Sequence, residues 1–190
     1  MVRLILIRHG ETEWNTIGRY QGQADPPLNS RGLAQAHEVA DQLKDVGLQY
    51  LFSSPLQRAY QTAQIIAKAL GIPLRTESRL MEIHQGQWQE RLRSEIERLY
   101  PEMFHRWQSE PWTVTPPGGE SLFEVQDRVY AALDEIIAHH QNHCVGLITH
   151  RIPIALIRLR YQSFDPSVIR RLAMEIPNTY WEEIVVDRVT

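Results

Sequence analysis

Apolar residues in this chain gather in short unbroken runs, and several runs stop at side chains that can do chemistry. Val2 and then Leu4-Ile5-Leu6-Ile7 form the first run, which ends abruptly at Arg8-His9-Gly10. A continuous run of this length reads as a strand covered on both faces, as in parallel sheets. Tyr50-Leu51-Phe52-Ser53-Ser54 reads as a second short strand. Val145 to Thr149 reads as a third apolar strand, and it stops at His150-Arg151, echoing the first. Residues 74–76 are a candidate brief strand, and residues 181–186 supply one more at a sheet edge.

Between these runs the apolar period changes to that of a helix. Asn29 or Ser30 caps a helix with Leu33, Ala36, Ala40 and Leu43 on one face, ending at Gly47. Pro55 starts another, running to about Leu70 with Gly71 past its end. Residues 92–107 read as one or two short helices interrupted at Pro101. Ser121 with Glu124 three residues on is a capping box, and it opens an amphipathic helix through Leu122, Val125, Val129, Leu133 and Ile136. Pro153 suits the first turn of a helix that runs to Tyr161. Residues 11–28, 78–89 and 111–119 are loops, and long loops in compact domains tend to carry function. The strand–helix rhythm predicts an α/β fold: a three-layer α/β/α sandwich with a mostly parallel central sheet, as one domain over residues 1–190. Ligands of such sheets bind beyond the carboxyl ends of the strands, where Arg8, His9 and His150 fall.

Composition narrows the partners. The chain has 190 residues, enough for one domain with a real core. Charge is nearly balanced, 20 Lys+Arg against 23 Asp+Glu, so a local group of arginines is a site feature rather than a field for nucleic acid or membrane. Cys144 is the single cysteine and sits in an apolar run, which suits a buried thiol in a reducing cytoplasm. The N-terminal apolar run is too short for a secretory core or a membrane span. No metal cage stands out. His37-Glu38-Val39-Ala40-Asp41 lacks the second histidine of a zinc-protease helix, and His139, His140 and His143 fall where a helix ends. The arginines near Glu97 and Glu102 alternate with acids, as on a solvated helix.

The side chains at the strand ends form an inventory for a phosphate ester. Such a reaction needs cations for the phosphoryl oxygens, a nucleophile in line with the leaving group and an acid to protonate it. Arg8 offers a planar donor fork, His9 an imidazole, and Gly10 room for a ligand to approach the backbone. Arg58 lies in the first turn of a helix and Glu82 in a loop, and His150 precedes a helix N-terminus that favours anions. Taken singly, Arg58 reads equally as a solvated cation, Glu82 as a loop acid and His150 as a helix cap.

Leu6-Ile7-Arg8-His9-Gly10-Glu11-Thr12 resembles the signature of the histidine phosphatase superfamily, with its phosphoglycerate mutase-like fold. The resemblance continues in order along nearly the whole chain. Ser53-Ser54-Pro55-Leu56-Gln57-Arg58-Ala59 with Thr62-Ala63 is similar to its second-arginine motif, and Leu80-Met81-Glu82-Ile83 with Gly86 and Trp88 to its acid loop. Pro117-Gly118-Gly119-Glu120-Ser121 and Leu147-Ile148-Thr149-His150 are similar to its last two blocks. Five ordered motifs are far more specific than one. The resemblance implies that His9 is the phosphorylated nucleophile and Glu82 the proton donor, and that Arg8, Arg58 and His150 form the phosphate pocket. It also implies phosphate or substrate contacts from Asn15 and the Gln21-Gly22 backbone. It implies no cofactor, no metal and a small phosphorylated substrate.

Two positions depart from the family pattern: Arg151 stands where a small residue usually follows the histidine, and Glu90 where a glycine usually follows the tryptophan by two. Arg151 either pairs with a surface acid such as Asp165 or faces the pocket mouth, where it would favour phosphorylated acids. Raising the Glu82 pKa by partial burial, for instance under Trp88, would suit it as a general acid. The leading expectation is a metal-independent phosphomonoesterase. Its rivals are a mutase, disfavoured by Ile83-His84-Gln85-Gly86 after the acid, and a non-catalytic phosphate-binding protein, disfavoured by the presence of both His9 and Glu82. Substrate identity and oligomeric state are not readable.

Overall fold

In the computed structural model, which describes residues 1–187, the first apolar run is β1 (Val2–Arg8), an interior strand of a five-stranded sheet. Residues 188–190, the end of the expected domain, lie outside the described residues. The strand order is β3 (Leu74–Thr76), β2 (Tyr50–Ser53), β4 (Cys144–Thr149), β1, then β5 (Trp181–Val186). All pairings are parallel except β5, which runs antiparallel to β1 at the edge. The helices are α1 (Glu13–Thr16), α2 (Ser30–Gln42), α3 (Gln57–Leu70), α4 (Arg93–Leu99), α5 (Pro101–Ser109), α6 (Leu122–His139), α7 (Arg151–Tyr161) and α8 (Ile169–Met174).

The unbroken apolar run of β1 is explained by its burial on two sides. Successive side chains point to opposite faces. Ile5 and Ile7 share a core with Val39 and Leu43 near the end of α2 and with Ala63 and Ile66 of α3. Leu4 and Leu6 share the other with Val129 and Leu133 of α6, Leu156 of α7 and Leu172 of α8. Two helical layers therefore enclose the sheet. All five apolar positions expected on α6 are buried, each worth about 1.5–3 kcal/mol relative to exposure.

Helix α2 ends at Gln42 rather than at Gly47, and the elements differ from expectation in four further places. Leu33 is 42% exposed, and the buried stripe of α2 is Gly32, Ala36, Val39 and Ala40. The cause is a close approach: a Cβ on Gly10 would lie 2.6 Å from the Gly32 carbonyl oxygen, and one on Gly32 2.1 Å from that of Glu11. Gly32 must therefore face the chain leaving β1, which turns Leu33 outward. Gly10 serves this helix packing. Helix α3 starts at Gln57 rather than Pro55, because Leu56 stays extended while its N–H donates to Ser54 Oγ. Within the expected loop 11–28, Thr12 and Asn15 cap each other and form the single turn of α1. Helix α8 has no counterpart in the sequence reading, although Ile169, Leu172, Ala173 and Ile176 are all buried at helical spacing.

Candidate active site

The matching strand ends are brought together by register. Arg8 pairs with Thr149 across β1 and β4, and His9 N–H donates to the Thr149 carbonyl at 3.2 Å. The next residues, His9 and His150, are therefore neighbours, with ring centroids 5.0 Å apart. On the other side of β4, Ser54 N–H donates to Ile148 O, placing Ser54 Oγ 2.9 Å from His150 Nε2. Thr62 on α3 accepts from Gly10 N–H and donates to Arg58 O, tying the end of β1 to the helix that carries Arg58. Neighbouring strands β1 and β4 send their chains to opposite faces, into α2 and α7. That is the crevice where open α/β sheets hold ligands.

Three side chains there are buried with polar nitrogens left over. Arg8 Nη1 donates to Ile176 O at 2.8 Å, and Arg58 donates to Ala24 O and Gly22 O at 2.9 and 2.7 Å. Each keeps a buried Nε with no partner, and so does Nδ1 of His150. Buried polar atoms are normally paired, so these orphans mark places for an oxygen-rich ligand. Burial holds the Arg58 guanidinium down to about 10, still cationic at neutral pH. Burial first, then the Arg58 and Arg8 charges, pushes the His9 imidazole well below its ordinary value of 6.5. His9 Nδ1 lies 2.7 Å from the Gly10 carbonyl oxygen. A carbonyl can only accept, so in the neutral ring the proton is on Nδ1 and the lone pair is on Nε2.

Glu82 stands half-buried on the same wall, with Oε1 accepting from Ile83 N–H and Ile152 N–H at 3.0 and 3.3 Å. Burial raises its pKa above the usual 4.5 despite those bonds and the nearby arginines. The Ile152 amide at the start of α7 thus serves the Glu82 carboxylate, and the His150 side chain makes no cap bond. Trp88 packs against Tyr20, Tyr100, Phe104 and Trp107 and does not line the cavity, so it is not what covers Glu82.

The loop carrying Glu82 is clamped from behind. Arg128 of α6 donates to the carbonyls of Arg79, Met81 and Glu82 at 2.7, 2.7 and 3.0 Å. It is held by Glu120, whose Oε2 also accepts from His84 N–H. The glycines of both loops let the backbones touch: a Cβ on Gly86 would lie 2.1 Å from Pro117 O.

The resulting cavity is about 270 Å³ and is lined by Arg8, His9, Asn15, Gln21, Gly22, Arg58, Glu82 and Arg151 among others. His150 is fully buried beside His9 instead of on the wall. The Gly22 carbonyl faces Arg58 rather than a ligand. Asn15 Oδ1 accepts from Thr12 and Asn178, leaving its amide N–H groups for the cavity. Arg151 does not pair with Asp165, which accepts from Ser167 N–H. Its Nε donates to Ile176 O at 3.2 Å and the side chain lines the cavity. The sequence reading passed over Arg19, Arg93 and Arg170, which line the same cavity. Arg93 is exposed, and its place over the Phe104 ring is a tertiary fact. Among the described residues no group of three or more His, Cys, Asp or Glu is arranged to hold a metal.

Two strand-end histidines, two unpaired buried arginines and a raised carboxyl in one crevice agree with the resemblance in the sequence. The family model for the histidine phosphatase superfamily (branch 1) matches residues 4–189. The chain belongs to this superfamily. Phosphoserine phosphatase 1 of Hydrogenobacter thermophilus is 45% identical over 154 residues, covering 81% of this chain and 73% of the relative. A probable phosphoglycerate mutase of Proteus mirabilis is 37% identical over 178 residues, covering 92% and 81%. Among solved structures, Bacillus stearothermophilus YhfR superposes with a TM-score of 0.90 at 30% identity, covering 98% of this chain and 92% of that one. A mycobacterial glucosyl-3-phosphoglycerate phosphatase solved with VO3 gives 0.86 at 29% identity, covering 95% and 91%. Together these support a phosphatase of this superfamily with a mostly parallel α/β sandwich. Among the described residues no helix is long and apolar enough to cross a membrane.

Proposed function

We propose that the protein is a metal-independent phosphomonoester hydrolase of small phosphorylated metabolites, working through a phosphohistidine on His9. The observation that carries this is the 2.7 Å contact from His9 Nδ1 to Gly10 O, which leaves the Nε2 lone pair free beside two cations. His9 Nε2 attacks phosphorus as the bond to the ester oxygen breaks, and Glu82 gives that oxygen its proton. Water then attacks the phosphohistidine with Glu82 taking the proton back, so ester and water become alcohol and phosphate. Arg8, Arg58 and His150 carry the orphan nitrogens assigned here to the phosphoryl oxygens, with Asn15 and Gln21 on the cavity wall and the Gly22 carbonyl steadying Arg58. Arg151 favours phosphorylated carboxylic acids, in keeping with relatives named for phosphoserine and phosphoglycerate. The buried free thiol of Cys144 suits a cytoplasmic setting.

The Proteus mirabilis relative supplies a second reading, in which the phosphoryl group returns to the product instead of passing to water. One experiment addresses both: turnover of phosphoserine and 3-phosphoglycerate with exhaustive chelation, quenched in alkali, with free phosphate and isomerised product measured together. The expected result is phosphate release without metal and an acid-labile phosphate on wild type that is missing from His9→Ala. Full activity in His9→Ala, or activity that returns only with added metal, would overturn the proposal. Isomer without phosphate would assign the mutase reading.

A further inference from the structure

The cavity wall carries six arginines, Arg8, Arg19, Arg58, Arg93, Arg151 and Arg170, against one acid, Glu82. Arg8 and Arg58 sit with His9, where a phosphoryl group would be cleaved. Arg93, Arg151 and Arg170 come from α4, α7 and α8 and form an outer group around Arg170, joined to the inner one where Arg151 and Arg8 share the Ile176 carbonyl. Half-buried Arg128 faces Glu120 at 2.8 Å and half-buried Arg158 faces Glu182 at 2.7 Å, whereas Arg151 and Arg170 are equally half-buried and Arg93 is exposed beside them. No ion pair among the described residues includes any of the outer three. Arg170 is held by stacking on Trp107 and by donating from Nη2 to Gln108 Oε1 at 2.8 Å, while its buried Nε has no partner. The charges felt by Arg170 come from Arg93 and Arg151, with the Tyr20 hydroxyl beside it. Arg151 is anchored only through Nε, so its terminal nitrogens are left for the cavity. Six cations gathered around the single carboxylate of Glu82 repel one another, and an anion from outside relieves the cost.

We propose that Arg93, Arg151 and Arg170 form an outer anion site that seats a second anionic group of the substrate, with Arg170 as its fixed member. This deepens the hydrolase reading and rests on it for the identity of the first anion. The bound molecule carries one phosphoryl group at His9 and a carboxylate or second phosphoryl group against the outer arginines. Forked guanidinium donors suit either group, and neutral sugar phosphates leave the three charges uncompensated.

The test reads both binding and turnover. Calorimetry would compare 2-amino-3-phosphonopropionate with 2-aminoethylphosphonate, which differ only in a carboxylate, and would add propane-1,3-bisphosphonate. Turnover would compare phosphoserine with phosphoethanolamine, again differing only in the carboxylate. Wild type is expected to favour the doubly anionic member by roughly 10- to 150-fold. Arg170→Met should bring that ratio toward one, and Arg170→Lys should keep part of it. Because both members of a pair are measured on one variant, a general loss of activity cancels. If Arg170→Met misfolds, Arg93→Met and Arg151→Met give the same reading. A preference for the bisphosphonate, lost in the same variants, supports the site and assigns its anion as phosphoryl. Equal binding of both members by wild type, or a preference that survives all three Met variants, would overturn it. If no ester is turned over yet the binding preference is present and lost in Arg170→Met, hydrolysis fails and the anion site stands.

Discussion

At the scale of single residues, the site depends on two groups displaced in opposite directions. Burial and two guanidinium charges lower the His9 pKa, so the neutral imidazole persists below 6.5. Burial raises the Glu82 pKa, so the protonated carboxyl persists above 4.5. The neutral base and the protonated acid therefore coexist over a wider range than ordinary values would allow. Activity should fall on the alkaline side as Glu82 loses its proton and on the acid side as His9 gains one. Glu82→Gln should lose the alkaline limb and slow alkyl phosphates by about 10²–10⁴-fold, with a much smaller effect on nitrophenyl phosphate, whose leaving group needs no proton. Steady-state rates against pH on both esters check this, and an equal loss on the two would reduce Glu82 to a positioning role. His9 stood out in the sequence because it ended an apolar run, and Glu82 through the acid-loop motif of the resemblance. Arg170 did not, because nothing local separates an arginine facing a cavity from one facing solvent.

At the scale of elements, α6 does more than fill the core. Its capping box and five buried apolar residues are local signals, and the structure agrees with them. Arg128 on the same helix gave no such signal, yet it holds the three carbonyls of Arg79, Met81 and Glu82. Losing it leaves the Arg79 and Met81 carbonyls without this donor and the Glu120 carboxylate without its cation, while Glu82 O keeps only Gln23. Arg128→Met should therefore lower kcat by up to about 100-fold, the scale of a small misplacement of a catalytic group, with a much smaller change in KM. It should also show the leaving-group sensitivity of Glu82→Gln, and Arg128→Lys should restore part of the rate. A rise in KM with kcat intact would mean that Arg128 supports substrate binding instead. The four-residue α1 and the six-residue α8 escaped the sequence reading because short helices carry little periodic signal. What forms them is packing and a local cap.

For the whole molecule, the crevice stores unfavourable charge that folding must tolerate. His9 and His150 both have pKa values pushed well below 6.5, by burial first and then by the arginine charges. Below 6.5 the unfolded chain binds protons at these positions that the folded state excludes, so stability falls as pH drops through that value. Each histidine contributes up to about 1.4 kcal/mol per pH unit. Glu82 has the opposite sign, because its raised value gives the folded state an extra proton above 4.5. With two groups against one, the melting temperature should decline from pH 7 toward 5.5, and the decline should be shallower in His150→Gln. An unchanged slope in that variant would assign the effect to other groups.

The sequence alone determined which segments are strands and which long helices cover them, and it singled out the candidate side chains at the strand ends, because those signals lie within a few residues of one another. Runs such as Leu4 to Ile7 and caps such as Ser121 with Glu124 need no distant partner to be read. The tertiary structure decided what depends on residues far apart in the chain. The register of β1 on β4 sets His9 against His150 across more than half the sequence. The contact of Gly10 with Gly32 sets the rotation of α2, and the Ile176 carbonyl turns both Arg8 and Arg151 toward one cavity. A side chain's direction follows from the packing of its whole element, so three arginines from three helices became neighbours only when the chain closed.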